Sequence, residues 1–510
     1  MTNRPDIVLV MVDQLAARWL EQAWQGVVDL PNLRALAEGG VRFPNAFTPN
    51  PVCAPARATV ATGLTSQGHG VSECGYDLDP ALPTFMRTLQ RGGWRTGAFG
   101  KLHLRTQIGG VHPDYRPYGF DVTHITEDPR AGEWLDWVRE HHPGHYRAAL
   151  STVWMTMVPE LRAYGPERRD LVAEIEAARR EFPECTGEAY TLPFPAEVSQ
   201  TSWITERACD FIRGTEPDRP MFAHVSYVQP HNPFAPPAEY LRHVRAERVP
   251  RPLPAEWRSG GPAYFDREQY RQASYDVDDW ESHRLHYFAD LAHLDEQLGR
   301  LVDCLRETGR LAGTYVIFTS DHGELLHDHG LVGKWERHYD ACIRVPLLVS
   351  GPDLRPGVRP ELVELTDLAP TILDVAGLEP DPLPRPELGN PQLPRRLPAL
   401  PGSSLLPLCQ GLDLDWRTAV YVQSNNNHWE ASPRSWSRTV RTARHRYTRY
   451  FGGGGEQLFD LKADPDEQHD LAHDPAAEPV LRRLREELLE LVVLDGYPNS
   501  PRGLYGIGTW

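Results

Sequence analysis

The chain has 510 residues, of which 40% are hydrophobic and 24% charged, and its formal net charge is −17. That length supports one large domain and a small companion. The acidic balance speaks against nucleic acid as a partner, because its phosphates would be repelled, and no apolar run reaches the length of a membrane span.

Residues 7–12 (IVLVMV) are continuously apolar and β-branched. They predict a strand buried on both faces of a parallel sheet, with Asp13 and Gln14 just beyond it. Six apolar residues are too few for a signal-peptide core, and no small-residue cleavage site follows. Residues 33–38 predict a short helix stopped by Gly39 and Gly40. In Cys53-Ala54-Pro55-Ala56-Arg57, Pro55 suits the first turn of a helix, predicted to run to about residue 60 and to end towards Gly63. Cys53 then lies at the positive end of that helix, which favours an anion there. Arg57 lies one turn on, with a fork of donors suited to an oxyanion. An isolated cysteine ordinarily behaves as a small core hydrophobe; here other segments carry residues suited to the same chemistry.

Residues 82–89 predict a second helix, ended by Gly92 and Gly93. The strand expected at 96–99 leads into Lys101-Leu102-His103. Residues 105–200 break the pattern. They are rich in Trp, Tyr, His, Arg and Glu, with helix-like stretches near 131–140 and 168–181, and are read as an insertion over the active-site edge. A strand over 221–228 leads to Pro230-His231. Leu291, Leu294, Leu298, Leu301 and Leu305 keep a helical period across 285–305. A strand at 315–319 then precedes Asp321-His322-Gly323. The proline-rich stretch 378–402 reads as irregular. The expected division is a catalytic domain over 1–380, a connection over 381–414 and a small domain over 415–510. The small domain is assigned strands near 418–423 and 438–449, a glycine turn at 452–455 and a helix over 478–493. The seven cysteines are odd in number, scattered and without a CxxC pair, as expected of a reducing, cytoplasmic setting.

Four strands thus end in polar, chemically competent residues. Ligands of open α/β sheets bind beyond the carboxyl ends of strands, so the four segments are expected to converge on one edge. Asp13 and Gln14 offer two oxygens, and Asp321 and His322 an oxygen and a nitrogen, a sensible set for one divalent cation. His322 and His327 bracket a Glu but stand five apart, whereas a helical zinc motif needs four.

The segment Cys53-x-Pro55-x-Arg57 with its Thr-Gly end resembles the signature of formylglycine-dependent sulfatases of the alkaline phosphatase superfamily. Gly100-Lys101-Leu102-His103, Pro230-His231-Asn232-Pro233, Gly333-Lys334, residues 367–377 (DLAPTILDVAG) and Leu458-Phe459-Asp460 match further landmarks of that family in order. The resemblance implies an α/β fold: a large, mostly parallel mixed sheet sandwiched by helices, with a smaller C-terminal α+β domain. It implies that a maturation enzyme oxidises Cys53 to formylglycine, whose hydrate attacks a sulfate monoester. It places the metal at Asp13, Gln14, Asp321, His322 and position 53, with Ca2+ preferred to Mn2+. Arg57 and Lys101 are implied to stabilise the alkoxide, Lys334 and His231 to bind sulfate, His231 to protonate the leaving group, and His103 to remove the second hydroxyl's proton. Gln14 departs from the commoner Asp-Asp pair. It leaves open a phosphonate monoester or phosphodiester hydrolase using the same nucleophile. A third reading is a binding protein that keeps an unmodified Cys53. The expected partners are a small-molecule or sugar sulfate ester and the maturation enzyme, with no nucleic acid and no membrane; an oligomer is compatible with this reading.

Overall fold

Strand β1 (Asp6–Val12) is buried throughout and supplies two cores at once. Val8, Val10 and Val12 enter one hydrophobic cluster, and Ile7, Leu9 and Met11 enter another. Alternate side chains of a strand point to opposite faces of its sheet, so an unbroken apolar run requires cover on both sides. The computed structural model describes residues 4–254, 279–381, 400–425, 436–451 and 455–495.

The eight-stranded sheet runs in the order β8 (Gly357–Val358), β2 (Val41–Arg42), β7 (Leu347–Ser350), β6 (Thr314–Ser320), β1, β5 (Met221–Ser226), β3 (Arg95–Gly100) and β4 (Val122–Ile125). From β6 to β4 every neighbour is parallel; β7 is antiparallel to both β6 and β2. One face is covered by α1 (Pro31–Gly39), α6 (Gln200–Arg213) and α7 (Trp280–Glu307), together with α4 (Glu133–His141) and α5 (Leu171–Glu181) from the predicted insertion. The other face is covered by α2 (Cys53–Thr62), α3 (Phe85–Arg91) and α8 (Leu368–Ala376). This is the large, mostly parallel sheet sandwiched by helices that the sequence led us to expect.

The C-terminal sheet is a four-stranded antiparallel meander of β9 (Ala419–Asn425), β10 (Trp436–Thr442), β11 (His445–Phe451) and β12 (Gly455–Asp460). Helix α9 (Glu478–Asp495) packs Leu481, Leu484 and Leu488 against Val440, Tyr447 and Leu458 on one face. Val420, Val422, Tyr450 and Phe459 on the other face join Phe47, Leu325, Tyr339 and Ile343 of the large domain.

Local boundaries correct the sequence reading in four places. Helix α2 begins at Cys53, two residues before Pro55, with Val52 as its extended N-cap and Gly63 closing it in the left-handed region at φ 71°. Strand β5 stops at Ser226, short of residue 228. The single strand expected over 438–449 is two strands, β10 and β11, joined at Ala443 and Arg444, because Thr442 and His445 turn the chain through the Thr442 hydroxyl. Strand β12 went unread, since its start lies within the expected glycine turn. Residues 452–454 of that turn and most of the proline-rich connection lie outside the described residues. Among the described residues no helix is long and apolar enough to cross a membrane.

Gly100 sets how closely β3 and β5 meet at the functional edge. Its φ is +94°, and a Cβ there would stand 1.9 Å from the Ser226 carbonyl oxygen, a backbone atom that cannot swing aside. Only glycine takes this conformation without strain. Gly100→Ala is expected to cost about 2–3 kcal/mol, read as a lower urea midpoint at unchanged slope.

Candidate active site

Register explains why the first acidic pair meets. Val12 of β1 is level with Ser320 of β6 in a parallel ladder, so the next residues, Asp13 and Asp321, leave adjacent strand ends side by side. Arg57, one turn into α2, lies across them. Its Nε donates to Asp321 Oδ2 at 2.7 Å and its Nη2 to Asp13 Oδ2 at 3.0 Å. Its Nη1 donates to the Ser226 hydroxyl at the end of β5 and to the Lys101 carbonyl just past β3. One guanidinium therefore ties together four strand ends.

Lys101 Nζ pairs with Asp13 Oδ2 at 2.5 Å and with Asp128 Oδ1 at 2.6 Å, and Lys101 is fully buried. Asp128 also accepts from Gln107. Lys334 Nζ is held by Gln14 Oε1 at 2.6 Å, His322 Nε2 at 3.0 Å and Cys53 Sγ at 3.1 Å, with Asp13 Oδ1 at 3.9 Å. His322 Nδ1 donates to the Gly323 carbonyl, which turns Nε2 towards Cys53 at 3.1 Å. Gln14 holds φ 68°, with its backbone N–H on Asp321 and its amide N–H on Glu324.

Each ionisation follows from these partners. Burial and Cys53 oppose charge on Asp13, yet Lys101, His231 and Lys334 hold its carboxyl well below the usual range. Asp321 is pushed up by burial and by the neighbouring Asp13 charge. Burial works against the Cys53 thiolate, but the hydrogen bond from Cys74 and the charges of Lys101, Lys334 and His322 bring its pKa far down. Lys101 stays charged despite burial because Asp128 and Asp13 face it.

Asp13, Cys53, Asp321 and His322 present ligand atoms that all lie within 4.8 Å of one another. Gln14 Oε1, His322 Nε2, Cys53 Sγ and Asp13 Oδ1 already face one cation, the Lys334 ammonium. Donors of mixed oxygen and nitrogen type that converge on a positive charge fit a divalent metal.

A cavity of about 330 Å³ opens on this cluster. Gln14, Cys53, His103, His231 and Lys334 line it, while Asp13, Arg57, Lys101, Asp321 and His322 stand behind them. His103 has φ 48° and its N–H on Glu127; His231 stacks on Trp154 and engages the Asn232 carbonyl through Nδ1. All ten residues singled out in the sequence come to this one edge. Residues 105–200, read from the sequence as an insertion, include β4 of the central sheet, paired parallel to β3, and supply Gln107, Asp128, Trp154, Met155 and Glu188 to the wall. Sequence reasoning missed Asp128, Glu127, Cys74 and Glu324. Glu127 and Asp128 follow β4, a fifth parallel strand ending at the same edge, so the strand-end rule applied to residues 122–125 would have found them.

The chain matches the family model described as sulfatase over residues 5–378, and the model described as the C-terminal part of N-sulphoglucosamine sulphohydrolase over residues 328–493. It is 26% identical to an arylsulfatase of Clostridium perfringens, with 98% of each chain covered. It is 28% identical to a choline-sulfatase of Rhizobium meliloti, over 93% of this chain and 83% of that one. Its fold is similar to the crystal structure of a phosphonate monoester hydrolase of Agrobacterium radiobacter, with a TM-score of 0.73, 24% identity and 96% of each chain covered.

Removing Asp128 tests the buried charge balance. Asp128→Asn leaves the fully buried Lys101 with Asp13 alone. Breaking a buried pair from one side costs a few kcal/mol; a loss of about 3 kcal/mol is expected in denaturant unfolding.

Proposed function

The chain belongs to the sulfatase family and is a sulfuric ester hydrolase, and from that premise we propose that it cleaves a sulfate monoester to an alcohol or phenol and inorganic sulfate, with position 53 as nucleophile after conversion of Cys53 to formylglycine. The observation that carries this reading is the convergence of Cys53, at the first turn of α2, with Lys334 and His322 beside carboxylates that Arg57 clamps.

Asp13, Gln14, Asp321 and His322 would hold one divalent cation, Ca2+ in preference to Mn2+ on family grounds, although an imidazole ligand is more at home with manganese. Such a cation supplies positive charge that acidifies a bound hydroxyl and draws in sulfate oxygens. The formylglycine hydrate supplies two hydroxyls on one carbon, one to attack sulfur and one whose deprotonation expels sulfate. Arg57 and Lys101 hold the anionic side of the site in place and stabilise negative charge at position 53. Asp321 is assigned, on family grounds, the first hydroxyl's proton. Lys334 offers its ammonium to a sulfate oxygen at the cavity floor. His231, with Nδ1 engaged by the Asn232 carbonyl, keeps Nε2 to carry a proton to the leaving oxygen. His103 Nδ1 is buried without a hydrogen-bond partner and is the atom to take the second hydroxyl's proton. The insertion walls off the alcohol side and limits water. The seven free cysteines support a reducing, cytoplasmic setting.

Gln14 supports a second reading, phosphonate monoester or phosphodiester hydrolysis, since a neutral amide replaces the acid commoner in the sulfatase signature. Sulfate monoesters, phosphonate monoesters and phosphodiesters all carry one negative charge, so kcat/KM on the three aryl esters with one leaving group decides. The sulfate is expected to be the best substrate by at least tenfold; a phosphonate or diester value above it overturns the assignment. Peptide mass spectrometry of the active enzyme should show an aldehyde at position 53, and Cys53→Ala should abolish turnover while leaving the circular dichroism spectrum unchanged. Full activity in a preparation with only thiol at 53 would contradict the proposed nucleophile.

A further inference from the structure

Cys53 and His103 belong to a second group of donors whose third member, Cys74, the hydrolytic reading does not use. Cys74 lies in the irregular segment after the short helix Ser66–His69. Its Sγ lies within 4.8 Å of the Cys53 Sγ. The ligand atoms of Cys53, Cys74 and His103 all lie within 4.8 Å of one another. In tetrahedral zinc sites, with Zn–S near 2.3 Å and Zn–N near 2.0 Å, such atoms stand roughly 3.5–3.8 Å apart. Small side-chain rotations close that difference.

His103 provides an independent sign of a ligand. It is buried, and its Nδ1 has no hydrogen-bond partner. Leaving such an atom unpaired is costly, and a metal bond satisfies it. The charge around Cys53 agrees. Asp13, Asp128 and Asp321 are matched by Arg57, Lys101 and Lys334, so the two thiolates that form on metal binding match the double charge of the ion. Cys53, Cys74 and His103 all line the cavity, the layout of an open zinc site with three protein ligands.

We propose that the chain with a thiol at position 53 binds one soft divalent ion, of the zinc type, through Cys53, Cys74 and His103. The ion forms two bonds to sulfur and one to nitrogen, and the thiol protons leave to solvent; nothing is oxidised or reduced. Thiolate and imidazole select zinc over calcium or magnesium. Conversion of Cys53 removes one sulfur and dismantles the site, so the unconverted chain holds zinc and the converted chain does not. The proposal concerns the thiol form and its binding, and stands or falls separately from the hydrolytic reading.

The test uses the full chain produced without a maturation enzyme, with its thiol at 53 verified by mass. It is titrated first with Co2+ and then with Zn2+. One Co2+ per chain is expected, with a thiolate charge-transfer band that Zn2+ abolishes. Zn2+ should slow alkylation of Cys74 by iodoacetamide at least tenfold, read by peptide mass spectrometry. Cys74→Ser and Cys74→Ala should each weaken zinc binding at least tenfold, and Asp321→Asn should keep the cobalt band. Zinc affinity unchanged in both Cys74 variants would place the ion among Asp13, Asp321 and His322 and overturn the proposal. Should those variants not fold, unchanged alkylation of Cys74 in the unaltered chain overturns it equally.

Discussion

Arg57 touches the ends of four neighbouring parallel strands, and the site is assembled around it. It pairs with Asp13 after β1 and Asp321 after β6, and it hydrogen-bonds Ser226 of β5 and the Lys101 carbonyl after β3. A lone charge in a dry interior costs several kcal/mol. Two level carboxylates without a cation between them are therefore untenable. Helix α2 supplies that cation because all ten of its residues are buried on the sheet. The small side chains of Ala54, Ala56, Ala58 and Ala61 let it pack closely enough for Arg57 to reach across the strand ends. The same docking brings Cys53, four residues earlier, to the helix end that faces the cavity.

A strongly acidic protein thus carries a locally balanced reaction centre. Three cations, Arg57, Lys101 and Lys334, are spent on Asp13, Asp128 and Asp321. Their positive charge is kept at full strength by those partners and by exclusion of water, since Coulomb interactions weaken steeply in high dielectric. The consequence is a thiol at position 53 with a pKa far below its usual value and a cluster able to receive an anion despite the chain's net charge.

The outer wall of the site comes from elsewhere. Residues 105–200 pack α4 and α5 into the same core as α6 and α7, which fixes Trp154 beside His231. The C-terminal meander works from behind. Its Thr439 and Ser424 hydroxyls hold the two nitrogens of the buried His338, and the Ser424 hydroxyl donates to the Trp335 carbonyl. These contacts anchor the segment that carries Lys334. The small domain therefore bears on the reaction centre through this loop and through the Gln423 N–H, which donates to the Pro49 carbonyl ahead of Cys53.

Much of this was legible in the chain itself. An unbroken apolar run can be buried only between two layers, so residues 7–12 specified a central parallel strand, and polar residues after four such strands specified one functional edge. The ordered motifs around Cys53, Lys101, His231, Asp321 and Lys334 carried the family resemblance. Other features were decided by tertiary structure. Asp128 meets Lys101 only because β4 is parallel to β3, and Cys74 meets Cys53 through an irregular loop with no periodicity to read. The split of β10 from β11 depends on a Thr442 hydroxyl turning the chain. Local sequence sets which faces must be buried and where strands end, because those follow from side-chain period and polarity. Which strand ends become neighbours, and hence which charges share one low-dielectric site, depends on contacts between segments hundreds of residues apart.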